Sequence, residues 1–272
     1  STVILAIKDE TEVIGIIGFH FSEFDTDVFQ KRMAFLQYFM VEENDITFER
    51  KLAKSLLDQF HDWVKDNAIQ VVATKLASQY FSPIYVLQEH GYILYENLYF
   101  ETLDISKGVT NKDYKDIEYR YAQDTDKDTL KEIALNNTFS KSHFYLDTKF
   151  SVDRVDFMYA RWIENALKSD QKIVIIEDDK KIAGVFIYDI VDYTAIMNKK
   201  FAVWKSAFVD SSSRGKGIGL KLFRATLQSC IDDGADVIDS SLVEKNSISK
   251  SFHDKLGFRM TNTVYTLHKW FD

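Results

Sequence analysis

The sequence predicts a mixed α/β (α+β) fold built from two copies of one unit. Strand and helix patterns alternate along the whole chain, and both halves close on the same series of elements. The length of 272 residues leaves room for one large or two small domains. With 46% hydrophobic and 14% aromatic residues, such a chain can bury a core without metal or disulfide staples.

In chain order, Thr2–Ile7 and Glu12–Phe21 read as strands, and Arg32–Val41 as another with longer apolar runs. Phe48–Asn67 has helical spacing, with Leu52, Leu56, Leu57, Phe60, Trp63 and Val64 recurring at three- and four-residue steps. Gln70–Leu76 is a predicted strand. Pro83–His90 is a predicted short helix, opened by the single proline and stopped by Gly91. Ile93–Leu103 closes the first half. Asp126–Asn137 and Arg154–Lys168 follow as helices, then a hairpin of Lys172–Asp178 and Ile182–Val191 around Asp179-Lys180-Lys181. Val203–Val209 is a strand, Gly217–Asp233 an amphipathic helix ended by Gly234, and Ala235–Leu242 a strand. Ser247–Leu256 is a short helix ended by Gly257, and Thr263–Trp270 the last strand.

Each half thus runs long helix, strand, short helix, strand, with the short helix closing on His90-Gly91-Tyr92 or Leu256-Gly257-Phe258. The best boundary is the polar stretch Ser106–Lys115, which holds a glycine and no apolar cluster. It divides the chain into residues 1–108 and 114–272. The first copy lacks the glycine cluster of the second.

Composition removes several functional classes. The charge of −8 opposes a general nucleic-acid binder, which needs a positive field to neutralise phosphates. A single cysteine, Cys230, excludes an internal disulfide and a Cys-rich zinc site, and no metal is expected. No apolar run approaches the ~18–20 residues that cross a bilayer, so no membrane partner is expected. The N-terminal stretch lacks the basic and apolar regions of a signal peptide, although the sequence begins at Ser1 rather than Met. A soluble cytoplasmic protein is the expectation. The apolar closing strands Ile93–Leu103 and Thr263–Trp270 would leave edges needing cover, which allows a homodimer.

The chemistry concentrates in Arg214-Gly215-Lys216-Gly217-Ile218-Gly219, between a predicted strand and a predicted helix. Glycines there let the chain turn tightly and bring backbone N–H groups against a ligand. The positive end of the helix, with Arg214 and Lys216, makes an anion site suited to a phosphate or pyrophosphate. A Walker loop fails because Gly217, not Ser or Thr, follows Lys216. A dinucleotide fingerprint fails because Leu220 takes the place of its third glycine.

The pattern Arg-x-x-Gly-x-Gly at Arg214, Gly217 and Gly219 resembles the acyl-CoA pyrophosphate loop of the GCN5-related N-acetyltransferase (GNAT) superfamily. The strand ending Phe208-Val209 before it fits too, as does the Asn246-led helix closing on Leu256-Gly257-Phe258. The resemblance covers Tyr114 to Asp272. It implies a tandem GNAT-like fold, a reduced N-terminal copy plus a complete C-terminal acyl-CoA N-acyltransferase domain, with acetyl-CoA as cosubstrate. It further implies that the strand before the loop splays from its neighbour. The freed backbone of Ala207, Phe208 and Val209 would bond pantetheine and the thioester carbonyl, acting as an oxyanion hole. The pyrophosphate falls to Arg214, Gly215, Lys216, Gly217, Ile218 and Gly219, and the pantetheine arm to Asn246, which would also cap its helix.

Many members donate a proton to the leaving thiolate from a tyrosine in Leu-Tyr-x-Lys-Leu-Gly-Phe. Here Phe252-His253-Asp254-Lys255-Leu256-Gly257-Phe258 puts His253 in the tyrosine's place. Reference pKa values of ~6.5 and ~8.5 make donation from an imidazolium to a thiolate downhill, if a neighbour such as Asp254 keeps it charged. An ordinary half-exposed helix histidine is the competing reading, and Tyr265 is a second candidate donor. Phe201–Val209 holds no carboxylate, so no general base can be named.

Ser140-Lys-Ser-His-Phe144 with Asp147, Phe150 and Tyr159-Ala-Arg-Trp-Ile-Glu-Asn165 is similar to a segment of TDP-fucosamine acetyltransferases. Phe24-Asp25-Thr26-Asp27-Val28-Phe29 resembles their Trp-Asp-Ser-x-Phe-Phe, with Phe for Trp and Val for Phe. The resemblance implies a small-molecule amine acceptor, a TDP-linked amino sugar. Phe144, Tyr159 and Trp162 could stack on such a substrate, although at helical spacing Tyr159 and Trp162 are more often core. Arg154 and Arg161 could meet its diphosphate, although exposed helix charges are commoner. A protein or peptide N-acetyltransferase and a non-catalytic CoA-binding protein are the alternatives.

Overall fold

The computed structural model describes residues 2–10, 12–42, 45–106, 108–109, 117–135 and 141–271. Most of the expected linker, Ser140 and the end of the helix expected to reach Asn137 lie outside these residues. The chain packs as two units.

Unit 1 comprises Ser1–Leu98, Leu146–Phe150 and Asn262–Asp272. In chain order it contains β1 (Thr2–Asp9), β2 (Glu12–Phe21), α1 (Glu23–Phe29), β3 (Met33–Val41), α2 (Ile46–Asp66), β4 (Val71–Ala77), α3 (Phe81–Glu89) and the start of β5 (Ile93–Asp104). Asp45 caps α2 by accepting from Thr47 N and Phe48 N. The predicted stripe of α2 then buries Leu56, Leu57, Phe60 and Val64 against β2, β3 and β4, with Trp63 at its margin. The helix is the crossover that makes β3 and β4 parallel.

Unit 2 comprises Tyr99–Tyr145 and Ser151–Thr261. It runs from the end of β5 through β6 (Arg120–Tyr121), α4 (Lys127–Leu135), most of α5 (His143–Leu146), α6 (Val152–Lys168), β7 (Lys172–Asp178), β8 (Lys181–Asp192), α7 (Thr194–Met197), β9 (Lys200–Val209), α8 (Ile218–Asp232), β10 (Val237–Val243) and α9 (Ser247–Leu256) to the first residues of β11 (Arg259–Trp270). Strands β6 to β9 are successively antiparallel, and α8 is the crossover between parallel β9 and β10. Tyr188, Trp204, Phe186 and Phe223 fill one face of this sheet, and Ile187, Val185, Phe208 and Leu130 the other.

The units are not contiguous in sequence, which departs from a division at the polar linker. Unit 1 takes its closing partner from the chain's end: Val264 to Trp270 of β11 lie antiparallel to β4. Unit 2 takes Tyr99–Asp104 of β5. Both closing strands have hydrogen-bonded neighbours, so neither supplies the open edge on which the expected homodimer rested.

The repeat survives in backbone irregularities that no residue pattern announced. In unit 1 the parallel β3/β4 ladder ends at Leu36–Thr74, and β2 skips one residue of β3, leaving Gln37 unopposed. In unit 2 the β9/β10 ladder ends at Trp204–Ser240, and β8 skips Lys205. Each copy thus places a bulge directly after the last paired residue, and the bulge turns the strand away from its parallel neighbour.

Candidate active site

The bulge at Lys205 sets the site. Before it, Ala202 and Trp204 face the α8 side; after it, Ala207 and Val209 do, because one extra residue reverses the alternation. Beyond Ser240, β10 no longer pairs with β9, so the edge of Ala207–Val209 that faces β10 has no ladder partner there. Those three residues stay fixed from the other side by pairing with Phe186, Val185 and Gly184. The result is a rigid strand with an open row of polar backbone groups, the arrangement an oxyanion site requires.

Strand β9 leads into a tight turn. Asp210 N bonds Ala183 O at 2.9 Å, and the Asp210 carboxylate accepts from Ser212 N and from the Ser212 hydroxyl. The hydroxyl bond holds this carboxyl below its ordinary range. Arg214 Nε donates to Val209 O at 3.2 Å, folding the guanidinium back over the turn. Gly215 and Gly217 have φ of +77° and +82°, and nothing lies within 4 Å of where either Cβ would stand. Glycine is required there by backbone conformation, and the space above stays free.

Gly217 caps α8, whose first turn holds no acid, so the leading N–H groups and the positive helix end are uncompensated. The matching connection in unit 1 reads Val41-Glu42-Glu43-Asn44-Asp45. It has no glycine, carries three acids, and its Asp45 already fills the end of α2. That connection repels a diphosphate.

Gly219 has a different task. A Cβ on it would stand 2.9 Å from Phe252 Cε2, so its absence lets α8 approach α9. Gly219→Ala is expected to displace the half-buried Phe252 ring and cost about 1 kcal/mol, the low end for overpacking. Urea unfolding measures it; an unchanged midpoint would show that the close approach is not needed.

A groove of about 640 Å³ runs along this surface. Its walls include Ala207, Phe208, Val209, Arg214, Gly215, Gly217, Gly219 and Asn246 from the expected set, together with Lys141, Phe252 and Lys255. Arg214, Lys255 and an uncompensated helix end, with apolar walls nearer the splay, suit a chain with a charged diphosphate end and a thin, less polar arm; Lys141 stands where the groove meets the inner pocket. Asn246 caps α9 by accepting from Ser249 N at 3.3 Å, and still lines the groove. Lys216 instead borders a separate polar pocket with Asp210 and Lys180. Ile218 is 8% exposed in the core, leaving only its backbone for a ligand.

A smaller pocket of about 180 Å³ adjoins the groove, sharing Lys141, Ala207, Phe223, Asn246 and Ser249 with it. Ser142, Lys205, Ser206, Ser240, Ser241 and His253 complete its polar lining. His253 is buried, 2% exposed, not half-exposed. Its ring stacks on Phe258 at 4.5 Å and lies 5.8 Å from Trp204. Nδ1 is 2.8 Å from Glu101 Oε2 and Nε2 is 3.3 Å from Ser240 Oγ. Burial lowers the imidazole's pKa from its ordinary 6.5, and Glu101 only partly offsets this. Glu101, missed in the sequence, was marked only as an acid inside an apolar closing strand.

The remaining candidates lie elsewhere. Tyr265 belongs to unit 1, pairs with Leu76 and packs at the margin of that core. Phe29 and Phe150, one from each stretch similar to the sugar-nucleotide enzymes, pack in unit 1 with rings 4.5 Å apart. Asp147 there is buried and accepts from His268 Nδ1 and Trp270 Nε1, both at 2.9 Å. Tyr159 is a core residue stacked on Tyr145. Neither it, Trp162 nor Phe144 lines the groove or the smaller pocket.

Comparison with known proteins agrees with this geometry. Residues 135–258 match the acetyltransferase (GNAT) family. No curated protein sequence matches the chain at a significant level. Among solved structures, a GCN5-related N-acetyltransferase from Sphaerobacter thermophilus is 13% identical with a TM-score of 0.64, over 95% of this chain and 77% of that one. A tandem GNAT protein from the clavulanic acid biosynthesis pathway is 12% identical with a TM-score of 0.56, over 99% and 83%. A fungal multi-domain enzyme contains a glucosamine N-acetyltransferase region that is 11% identical with a TM-score of 0.64, over 98% of this chain and 33% of that one. Among the described residues no group of side chains is arranged to hold a metal, and no helix is long and apolar enough to cross a membrane. Residues 135–258 are similar to the acetyltransferase (GNAT) family, in a chain that shares the fold of a tandem GNAT protein over almost its whole length.

Proposed function

We propose that this protein transfers the acetyl group of acetyl-CoA to a primary amine of a small acceptor, a nucleotide-linked amino sugar, by direct attack on the thioester. The observation that carries the reading is the opening of β9 from β10 after Trp204–Ser240, which runs into the glycine turn as one groove. The turn would take the diphosphate through backbone N–H groups, Arg214 and Lys255. The Ala207–Val209 backbone would receive the pantetheine and the thioester oxygen, with Asn246 beside the arm. His253 would act from the smaller pocket, which it lines.

The acceptor assignment draws support from that pocket. Five serine residues, Ser142, Ser206, Ser240, Ser241 and Ser249, line it. The Ser142 and Ser206 hydroxyls are buried and Ser240 meets His253, so the Ser241 and Ser249 hydroxyls, which can both donate and accept, are the ones offered to a polyhydroxylated ring. The small volume favours one ring entering at a time. A region of the same fold in the fungal enzyme is described as a glucosamine N-acetyltransferase, so the fold accommodates that acceptor class.

Calorimetric titration with acetyl-CoA tests the first half, and binding below hundreds of micromolar is expected. Thiol release is then compared for a TDP-linked 4-amino-4,6-dideoxy sugar, glucosamine and a peptide N-terminus. Turnover of the sugar nucleotide above the others is the expected result. Preference for the peptide would replace the acceptor, and binding with no thiol release would make the protein a CoA-binding module. No binding at all would end the reading.

A further inference from the structure

Glu101 sits on the part of β5 that packs in unit 2, with no exposed surface. Its Oε2 meets His253 Nδ1 at 2.8 Å, and its Oε1 lies 3.2 Å from Lys250 Nζ. A carboxylate paired to an ammonium can only accept, so Nδ1 must be the nitrogen that carries the proton. In a neutral ring Nε2 then keeps its lone pair, and the Ser240 hydroxyl donates to it. Trp204, Phe223 and Phe258 rings enclose the imidazole and keep it from turning. A buried acid behind an imidazole, with the second ring nitrogen left for chemistry, is the arrangement that fixes a histidine as a proton acceptor.

We propose that Glu101 is a positioning residue that holds His253 as the Nδ1–H tautomer, making this one imidazole first the base and then the acid of acetyl transfer. The proposal rests on the acetyltransferase reading above. It accounts for two gaps together, the missing carboxylate on β9 and the missing tyrosine on α9. As the amine nitrogen bonds the acetyl carbon, one N–H proton passes to Nε2. The C–S bond then breaks with its electron pair on sulfur, and the Nε2 proton passes to that thiolate. The products are the amide, free CoA thiol and a neutral ring, so no outside proton is consumed. A resting imidazole kept neutral by burial is the right starting form for this order, and the wrong one for an acid acting alone.

The charged groups with the largest effect on the ring are Glu101 from β5 and Lys250 and Asp254 from α9, and Lys205 of β9 and Lys141 line the same pocket. Glu101 raises the imidazole pKa, so Glu101→Gln must lower it further. The acid-side fall of kcat, set by protonation of the base, should therefore move to lower pH. Turnover itself should drop by at least about 10-fold and at most about 10⁴-fold, the loss when the carboxylate behind a triad imidazole becomes an amide. Acetyl-CoA affinity should stay unchanged, and Glu101→Asp should restore part of the rate.

The tautomer is measured directly on wild-type protein by 15N NMR of labelled histidine, with His253→Gln assigning the signal. An unprotonated Nε2 is expected. Protonated Nε2 in the wild type, or a kcat profile that Glu101→Gln leaves in place, overturns the proposal. Failure of wild-type protein to bind acetyl-CoA would sink the acetyltransferase reading instead, while the tautomer measurement, which needs no acceptor, would still judge Glu101. It does so equally if Glu101→Gln does not fold.

Discussion

Gly217→Val is expected to weaken acetyl-CoA binding by about 100-fold or more while the protein stays folded. Two costs combine, and they can be separated. The backbone at Gly217 has φ of +82°, where an L-residue pays roughly 1–2 kcal/mol, more for a β-branched side chain. Nothing within 4 Å obstructs a Cβ there, so the chain itself does not clash. The valine would stand in the open groove, over the leading N–H groups of α8. Losing two charge-assisted bonds from those donors, at roughly 1.5–3 kcal/mol each, gives at least about 3 kcal/mol, or about 100-fold. Gly234→Val is the control, because Gly234 has φ of +77°, equally empty surroundings and a place at the other end of α8. It should lower stability by a similar amount and leave affinity alone. Equal acetyl-CoA binding by the two variants would show that the turn does not hold the ligand.

How far the sequence disclosed this architecture depended on the range of each cause. The stripe of α2, the short turn at Asp179 and Lys180, and the glycine turn are encoded within a few neighbouring residues, and each stands near where its pattern put it. The bulges at Gln37 and Lys205 are relations between two strands, and neither residue type announces an unopposed position. The crossing of the closing strands is longer in range still. Thr263–Trp270 is apolar enough to pair with any open ladder, and only the folded chain assigns it to β4. Asp147 and Phe150, part of the segment similar to the sugar-nucleotide enzymes, pack with His268, Trp270 and Phe29, which lie over a hundred residues away in sequence. His253 was visible from its place in the Leu-Gly-Phe helix. Its partner Glu101 was not, because 152 residues separate them and local spacing carries no trace of the pair.

His253→Gln should lower kcat by about 10²–10⁴, the range for removing a positioned acid–base group, with acetyl-CoA affinity nearly unchanged. Glutamine is the informative replacement because His253 faces a buried carboxylate. Alanine would leave Glu101 with Lys250 as its remaining partner and a cavity among three aromatic rings, confounding chemistry with unfolding. A glutamine amide can still donate to Glu101 and cannot shuttle a proton at neutral pH. The folded state adds a second, independent signature. Burial depresses the imidazole pKa below 6.5, so below that pH the unfolded chain binds a proton that the folded chain resists. Wild-type stability should therefore fall as pH drops from 6.5 toward the depressed folded value, and be flat in this respect above it. The glutamine variant should lack that part of the decline, which urea unfolding at pH 5 and pH 7.5 would measure. Loss of turnover with an unchanged stability profile would place His253 at the reacting atoms but not in the neutral buried form. Unchanged turnover would return it to packing and leave the proton transfers to solvent.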